Sequence, residues 1–461
     1  MRFDPDLAEI RFGAGLSPLL PPPQSAEDML RRLQGPDEMA LRFPVSSFDE
    51  AFAGVSDFRR LRKQRRELEG SSGYEAADKA FKTYRRERNE TRLNWHGQRI
   101  LRHVATRDGF RERLVLFWAD HFTAQGKSGP MRVLAAPYAE SVIRPHVAGR
   151  FEDLLIAAVT SPLMLHYLDQ LRSAGPGSRA AKRRKRLSGL NENLAREVLE
   201  LHTLGVGGPY SQADVRQLAE LFTGLSVSQD QGFVFRPGMA EPGPETVLGK
   251  VYGGGRPEAG QVLAALRDLA RHPATARHIA WKLAVHFTSD QPEPALIAHM
   301  AALYQESGGQ LLPVYAALLE HPAAWQPELA NVKPPFDYVA SACRALAVPQ
   351  ARIAGLRAGQ TRRLLLSPLT QMGQRWEFSG GPDGWSEEDA SWITPQALAA
   401  RLRWSMSAPR RLQQPLPDPR RFAGAALGRY AGERVHFAAG AAETEAEAIG
   451  LVLSSPAFQR R

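Results

Sequence analysis

The sequence predicts an all-α protein, a body of packed amphipathic helices with one short β-ribbon or ordered loop near residues 231–255. Apolar residues recur at the 3.6-residue spacing of helices along most of the chain. Strands do not alternate with helices, as they would in a doubly wound sheet or an α/β barrel. Apolar residues make up 43% of the 461 positions and charged residues 23%, which excludes a disordered or collagen-like chain.

Residues 1–48 are predicted to form an irregular N-terminal arm, because Pro18 and the prolines at 21–23 interrupt its short helices. Residues 49–461 are predicted to form one continuous helical domain. It begins with two long charged helices over about 50–106, separated at residues 70–73. The second of these carries one narrow apolar stripe, which is typical of a helix with a solvated outer face.

Further helices are predicted along the rest of the chain, with a polar and basic segment at residues 171–188. This segment contains Arg179 and the basic run 182–186, and we expect a flexible loop. It could be a solvated tether, or it could dock onto an acidic partner, a membrane surface or nucleic acid. The predicted helices lie at about 109–123, 130–145, 149–160, 161–170, 190–204, 211–224, 260–271, 274–287, 293–306, 310–320, 334–346, 360–372, 395–407 and 442–452.

Two segments break the helical pattern in the second half of the chain. Ser211 and Asp214 predict a capping box that starts the 211–224 helix. After that helix, the apolar stretches 233–235 and 247–249 flank several prolines and predict the β-ribbon. Residues 374–394 contain three tryptophans among glycines and a proline, which indicates an aromatic-rich loop packed on the body.

The segment 191–205 is the most informative part of the sequence for chemistry. On a helix, Asn193, Arg196, Glu197 and Glu200 share one face, because separations of three, four and seven residues are near neighbours. Two carboxylates with an amide and an arginine could hold a metal or act as an acid–base pair. They could equally form an ion-pair network between helices.

Histidines offer a second set of candidates. His121 and His286 each precede Phe-Thr near a predicted helix C-terminus, where the helix dipole favours the imidazolium form. A functional interpretation gathers His121, His202 and His286 around one cavity with Glu197 and Glu200. The alternative is that these histidines donate hydrogen bonds to carbonyl groups beside an aromatic core. Di-iron bundles place Glu and His three residues apart, whereas Glu200 and His202 are two apart, so a metal would need ligands from other helices.

Several chemistries are excluded or disfavoured. A single cysteine, Cys343, excludes an intrachain disulfide and a thiolate cluster, and its apolar surroundings favour a core position. Walker loops, Gly-x-Ser-x-Gly elbows and dinucleotide fingerprints do not occur. No run of about 18 apolar residues predicts a membrane span. The start lacks the apolar core of a secretory signal, so we expect a cytoplasmic protein unless a partner carries it out.

The formal net charge of +10 predicts attraction to anionic partners at low salt. Only nine of the 59 basic residues are lysines, so the charge reflects a preference for arginine along the whole chain. No nucleic-acid reading motif accompanies it. Nucleic acid is therefore not the expected partner.

The sequence resembles a large bacterial family, domain of unknown function 1800, as a divergent member. The resemblance is carried by the stretches 117–122, 191–205, 210–216, 221–224, 246–249, 276–287 and 453–458, and it covers nearly the whole chain. It implies a predominantly helical protein. It also implies a neighbour, because family members are commonly encoded beside exported proteins that look like alkaline phosphatases and sulfatases. The chain departs from the family pattern at 240–245, which lack the usual His and Lys, and at Leu225, where relatives carry an aromatic residue.

These observations support three functional hypotheses. The leading one is an enzyme-like site that could use a divalent metal. Its catalytic candidates are Glu197, Glu200, His202, His121 and Asp214, and its metal-ligand candidates are Glu197, Glu200, His202 and His286. The second is a non-catalytic escort or adaptor for an exported phosphatase- or sulfatase-like partner. The third is a non-specific polyanion binder.

Overall fold

A computed structural model describes residues 3–127, 129–183, 189–228 and 232–461. The protein is 65% helical and has two small two-stranded sheets, which confirms the all-α prediction. Among the described residues, no helix is both long enough and apolar enough to cross a membrane. Up to residue 183 the helical segments are Pro5–Leu7, Ala8–Phe12, Ala26–Gln34, Glu38–Arg42, Phe48–Glu67, Tyr74–Ala105, Gly109–His121, Gly129–Val133, Ala135–Tyr138, Ala139–Ile143, Arg144–His146, Phe151–Thr160, Pro162–Tyr167, Gln170–Arg172 and Arg179–Arg183.

The second half of the chain continues the helical body and adds short helices near its end that the apolar pattern did not predict. Proline begins several of its helices, where its missing N–H costs no hydrogen bond. The segments are Asn193–Glu197, Val198–Thr203, Gln212–Phe222, Ala259–Arg271, Pro273–Phe287, Pro294–Glu306, Leu311–Glu320, Pro322–Trp325, Pro335–Ala345, Gln350–Ala354, Ala358–Thr361, Arg362–Leu366, Ser367–Gln371, Asp389–Trp392, Pro395–Ser407, Pro409–Leu412, Pro419–Leu427, Gly428–Tyr430, Glu433–Ala441, Glu445–Ser454 and Pro456–Gln459.

The β material forms two antiparallel ribbons. Leu225–Ser228 pairs with Gly232–Phe235, and Pro244–Val247 pairs with Lys250–Gly253. The stretch 247–249, which looks like strand by its apolar residues, includes the turn of the second ribbon. Leu248 and Gly249 both have positive φ there, at 48° and 76°. A two-residue turn of this kind matches the twist of the strands that it joins.

Two hydrophobic clusters form the interior. The larger one spans residues 7–325 and includes apolar side chains of the N-terminal segment, among them the fully buried Leu7 and Phe12. The smaller one joins the end of the Tyr74–Ala105 helix to helices from residue 335 onward. The buried Arg344 lies between them and donates hydrogen bonds to the carbonyls of Gly15 at 2.6 Å and Thr106 at 2.8 Å.

Part of the basic segment at 171–188 is ordered by contacts with the chain after the first ribbon. The backbone N–H of Gly175 donates to the carbonyl of Met239, and that of Gly177 donates to the carboxylate of Glu241 at 2.7 Å. A short helix follows at Arg179–Arg183. The rest of the predicted basic loop, residues 184–188, lies outside the described residues.

Candidate functional site

Two neighbouring hollows meet beneath the loop at 374–394. The first, called the inner cavity here, has a volume of about 120 Å³ and is lined by Asp120, Gln125, His286 and aromatic side chains that include Trp376 and Trp392. The second, called the outer cleft, has a volume of about 980 Å³. Trp385, Ser386 and Glu387 border both. The outer cleft is also lined by His121, Glu200, residues 204–209, Arg277, His278, Trp281, Lys282, Asp290, Asp383 and Glu388.

The Gly109–His121 helix delivers side chains to both hollows. Asp108 caps its start by accepting the backbone N–H of Arg111 at 3.1 Å. Phe117 and Trp118 anchor its end in the core, and the indole N–H of Trp118 donates to the hydroxyl of Tyr315 at 2.7 Å. The helix therefore holds Asp120 and His121 in fixed positions.

Asp120 is the most unusual carboxyl of the site. Its two oxygens accept the backbone N–H of Trp385 at 3.0 and 3.2 Å, and it makes no ion pair with any described residue. Gly384 approaches so closely that a Cβ there would lie 2.7 Å from the carboxyl, and its φ is +81°. Burial raises the pKa of Asp120 to about 7, with Lys282 opposing the shift and Glu387 adding to it.

Backbone carbonyls at the end of a neighbouring helix determine the tautomers of two histidines. The Val198–Thr203 segment is a π-helical turn, and the carbonyls of Leu201 and His202 lie at its C-terminal end, where helix carbonyls lack partners. Nε2–H of His121 donates to the carbonyl of His202 at 3.2 Å, and Nε2–H of His278 donates to that of Leu201 at 3.1 Å. A carbonyl can only accept, so Nδ1 carries the lone pair in both rings. Among the described residues, Nδ1 of His121 has no hydrogen-bond partner.

The ring of His202 lies behind that of His121, 6.0 Å away between centroids. It is fully buried, and neither ring nitrogen has a partner within the part of the chain that the structure describes. Burial lowers the pKa of His202 to about 3, with Lys282 and His278 acting in the same direction. The ring is therefore neutral at physiological pH and packs as a core residue.

His286 uses both ring nitrogens in a buried relay. Nδ1–H donates to the carboxylate of Glu387 at 2.9 and 3.0 Å, and Nε2 accepts from the guanidinium of Arg113 at 2.9 Å. Burial lowers the pKa of His286 to about 4. Burial alone would raise the pKa of Glu387, but His286 and Arg461 lower it to about 2. A neutral imidazole thus bridges a carboxylate and a guanidinium.

The predicted carboxylates occupy different surroundings. Arg196 bonds Glu200 at 3.2 Å and Glu192 at 3.4 Å. Both partners are four residues away along the same segment, so these ion pairs do not join separate helices as the alternative expects. Glu200 also lines the outer cleft. Glu197 is half-buried, and burial followed by the charge of Glu200 raises its pKa. Glu197 is not among the residues that line either hollow.

The contacts of Asp214 lie within the helix cap and the adjacent ribbon. Asp214 completes the capping box with Ser211, as predicted, and accepts the backbone N–H of Leu248 at 2.7 Å. Although burial opposes the shift, hydrogen bonds from Ser211 and Leu248 lower the pKa of Asp214. Of the five predicted catalytic residues, His121 and Glu200 therefore line the outer cleft, His202 lies behind it, and Glu197 and Asp214 line neither hollow.

No set of three or more His, Cys, Asp or Glu side chains is arranged to hold a metal ion within residues 3–127, 129–183, 189–228 and 232–461. Two of the metal-ligand candidates have other partners: His286 is hydrogen-bonded on both ring nitrogens, and Glu200 is paired with Arg196. Cys343 is buried, as expected, and burial raises the pKa of its thiol to about 12.

Five residues that line these hollows were not predicted as site residues from the sequence: Asp120, His278, Lys282, Trp385 and Glu387. The only local signal was the position of Asp120 directly before His121. Its partner Trp385 is 265 residues away, so no spacing along the chain connects them. The site depends on how the aromatic loop closes over the helices.

Comparison with known proteins gives a match to one protein family. The family described as "Protein of unknown function (DUF1800)" matches residues 14–460. The search of curated proteins found no match, and neither did the search of solved structures.

Proposed function

The chain belongs to the DUF1800 family of proteins of unknown function, and we propose from its own geometry that it is an enzyme. In this proposal Asp120 performs general acid–base catalysis on a substrate bound beneath the 374–394 loop. His121 and Glu200, two of the candidates predicted from the sequence, contribute from the outer cleft. Trp376, Trp385 and Trp392 would keep water from the reacting groups.

The unpaired carboxyl of Asp120 carries this proposal. Neighbouring buried carboxyls have arginine partners: Glu112 bonds Arg144 at 2.5 Å, and Asp337 bonds Arg113 at 2.5 Å. Asp120 instead faces a cavity, and among the described residues the side chain of Asp120 has only a backbone N–H as its partner. An acid whose pKa lies near the working pH can both donate and accept a proton, which is the property that general acid–base catalysis needs.

Turnover measurements test the proposal. The wild type and Asp120→Asn are assayed with chromogenic carboxylic esters, amides, phosphomonoesters, sulfate esters and glycosides. We expect turnover of one class, reduced by about 10² to 10⁴ in Asp120→Asn. Asp57→Asn, the same change on an exposed helix, is the control. Equal turnover by the wild type and Asp120→Asn would contradict the assignment.

The metal-assisted version of this enzyme has its own test. Elemental analysis of the purified protein, beside Glu200→Gln and His202→Ala, measures bound divalent metal. A stoichiometric metal that is lost in the variants would support ligands among Glu197, Glu200, His202 and His286. A metal content that the variants leave unchanged would remove Glu200 and His202 from the ligand set.

The escort or adaptor function is a second candidate, favoured by one surface feature. Leu398, Leu402 and Met406 follow one another at four-residue intervals on the Pro395–Ser407 helix and are 37–39% exposed, with Leu451 beside them at 37%. Contiguous exposed apolar side chains are typical of a protein interface. Co-purification with the phosphatase- or sulfatase-like neighbour tests this function. The wild type is compared with Leu402→Asp and with a deletion of residues 179–186. Unchanged recovery of the neighbour would exclude both the apolar face at Leu402 and the basic segment as contact surfaces.

Polyanion binding is the third candidate. Arg59, Arg62 and Arg66 lie on one face of the Phe48–Glu67 helix and make no ion pair with any described residue. DNA bound by these arginines would dissociate as salt is raised, because binding releases counterions. An affinity that does not change over a salt series would exclude it.

A further inference from the structure

Three carboxylates of the outer cleft already have partners: Glu200 pairs with Arg196, Glu387 bonds His286, and Asp290 accepts the backbone N–H of Asp389. The other charged side chains lie on two walls. The Pro273–Phe287 helix contributes the cations Arg277 and Lys282, and the 374–394 loop contributes the carboxylates Asp383 and Glu388. None of these four side chains makes an ion pair within 4.0 Å with a described residue. Opposite charges therefore line one cleft without a direct ion pair between the two walls, although Lys282 acts at longer range on Asp120 and Glu387. Both walls are thus able to bind a ligand group of opposite charge.

The rim and floor of the cleft also indicate a ligand. Trp281 is 47% exposed and Val206 is 78% exposed, although both are large apolar side chains. Exposed apolar groups around a concave surface are typical of binding sites. At the floor, His121 is 3% exposed, and its Nδ1 is a lone pair without a partner in the described chain.

Gly205 shapes the wall that carries Val206. Its φ is +88°, and a Cβ at this position would lie 3.0 Å from Nδ1 of His278. The 205–209 loop can therefore lie directly against the histidine only because the residue is glycine. This close approach fixes the position of the apolar rim relative to Lys282, one helical turn beyond His278.

We propose that the outer cleft binds a short peptide with free termini, of the dipeptide class. Its carboxylate lies towards Lys282 and Arg277, and its ammonium group lies towards Asp383 and Glu388. A ligand with one charge would leave the opposite wall without a partner, whereas a zwitterion neutralises both. The volume of about 980 Å³ accommodates two residues and their side chains, which would pack on Trp281.

This inference rests on the proposed function, because the outer cleft adjoins the inner cavity of Asp120 at residues 385–387 and the bound peptide is what Asp120 would act on. It extends that function by naming the substrate class. Binding at equilibrium does not require the acid–base group. The two proposals can therefore be tested separately.

Calorimetric titration with alanylphenylalanine, its N-acetyl form and its C-terminal amide tests the inference. Loss of either charge is expected to weaken binding by about tenfold or more. The double variant Arg277→Met, Lys282→Met should bind the free peptide and the amide equally, and the double variant Asp383→Asn, Glu388→Gln should bind the free and acetylated peptides equally. Lys79→Met and Glu75→Gln, on the exposed surface of the Tyr74–Ala105 helix, should discriminate as the wild type does.

Melting curves identify variants that fail to fold. The conservative variant Lys282→Arg keeps the positive charge and should discriminate against the amide as the wild type does. No binding of the free peptide at about 10 mM would overturn the proposal. So would equal binding of all three peptides by the wild type, or discrimination that the cleft variants retain. If Asp120→Asn still binds the peptide but loses turnover, both proposals are supported. If the wild type turns over a substrate other than a peptide and binds no peptide, only the peptide proposal is overturned.

Discussion

Asp120 and His202 show how burial acts on an acid and on a base in the same region. Removing either group from water disfavours its charged form. The pKa of Asp120 is consequently raised to about 7, whereas that of His202 is lowered to about 3. Both groups are uncharged at slightly acidic pH, but only Asp120 changes its charge near neutrality.

Asp120→Asn should change the pH dependence of stability. The folded-state pKa of Asp120 lies above the unfolded value of 3.8, so its ionisation costs the folded state stability as pH rises from about 4 through 7. Asparagine can still accept the N–H of Trp385 and does not ionise. Relative to the wild type, the variant should gain about 2 to 3 kcal/mol in free energy of unfolding between about pH 5 and pH 8.

Urea denaturation at both pH values measures this difference. Asp57→Asn, whose carboxyl is exposed, should follow the wild type at each pH. A variant that is less stable than the wild type at the higher pH would contradict the raised pKa of Asp120.

His202→Leu should weaken the acid sensitivity of the protein. The folded-state pKa of His202 lies below its unfolded value, so its contribution to stability is present above about pH 6.5 and is lost as pH falls towards 3. Leucine fills the site without a proton to take up. The slope of the free energy of unfolding against pH should fall by about 1.4 kcal/mol per pH unit between about pH 6 and pH 4. An unchanged slope would show that His202 is already protonated in the folded protein.

At the level of single elements, local signals in the sequence predicted some features and missed others. The capping box of Ser211 and Asp214 is a contact over three residues, and the sequence was sufficient to predict it. The π-turn Val198–Thr203 was not predictable from spacing, because its i to i+5 bonds change which residues share a face. The same limit applies to the loop around Trp385, whose contacts with Asp120 are distant along the chain.

Asp214→Ala separates a structural role from a catalytic one. The substitution removes the Asp214 half of the capping box, which accepts the backbone N–H of Ser211, and the bond from Leu248, so the free energy of unfolding should fall by about 1 to 2 kcal/mol. Turnover at a temperature well below unfolding should remain that of the wild type. Ser211→Ala, which removes the other half of the capping box, is the matched control. Loss of turnover by Asp214→Ala alone would return Asp214 to the catalytic set.

At the scale of the whole molecule, several arginines have a structural role that the net charge of the chain does not show. Arg11, Arg102, Arg344 and Arg401 are among the largest fully buried side chains. They donate to backbone carbonyls of distant segments, as Arg102 does to Phe43 at 2.9 Å. Much of the basic composition therefore joins segments of the helical body, because one guanidinium offers five donors in a fixed plane.

Asp337→Asn tests this internal network. Asp337 accepts from Arg113 and Arg461, and these two arginines, against the opposing effect of burial, lower its pKa. The stability that Asp337 contributes is present above its unfolded pKa of 3.8 and is lost as pH falls below it. Neutralising it leaves two buried guanidinium groups without their carboxylate, so the free energy of unfolding at neutral pH should fall by about 3 to 5 kcal/mol. Urea denaturation beside Asp57→Asn measures this loss; a change below about 1 kcal/mol would contradict it.

The proposed acid–base role of Asp120 depends most directly on the protonation of its carboxyl in the folded protein. Carbon-13 NMR of the protein labelled at the aspartate carboxyl carbons measures it, with Asp120→Asn identifying the resonance. We predict a titration midpoint near the value of about 7 that burial produces. A midpoint near the ordinary aspartate value of 3.8 would show that Asp120 is already ionised at neutral pH and would contradict its role as the acid–base group.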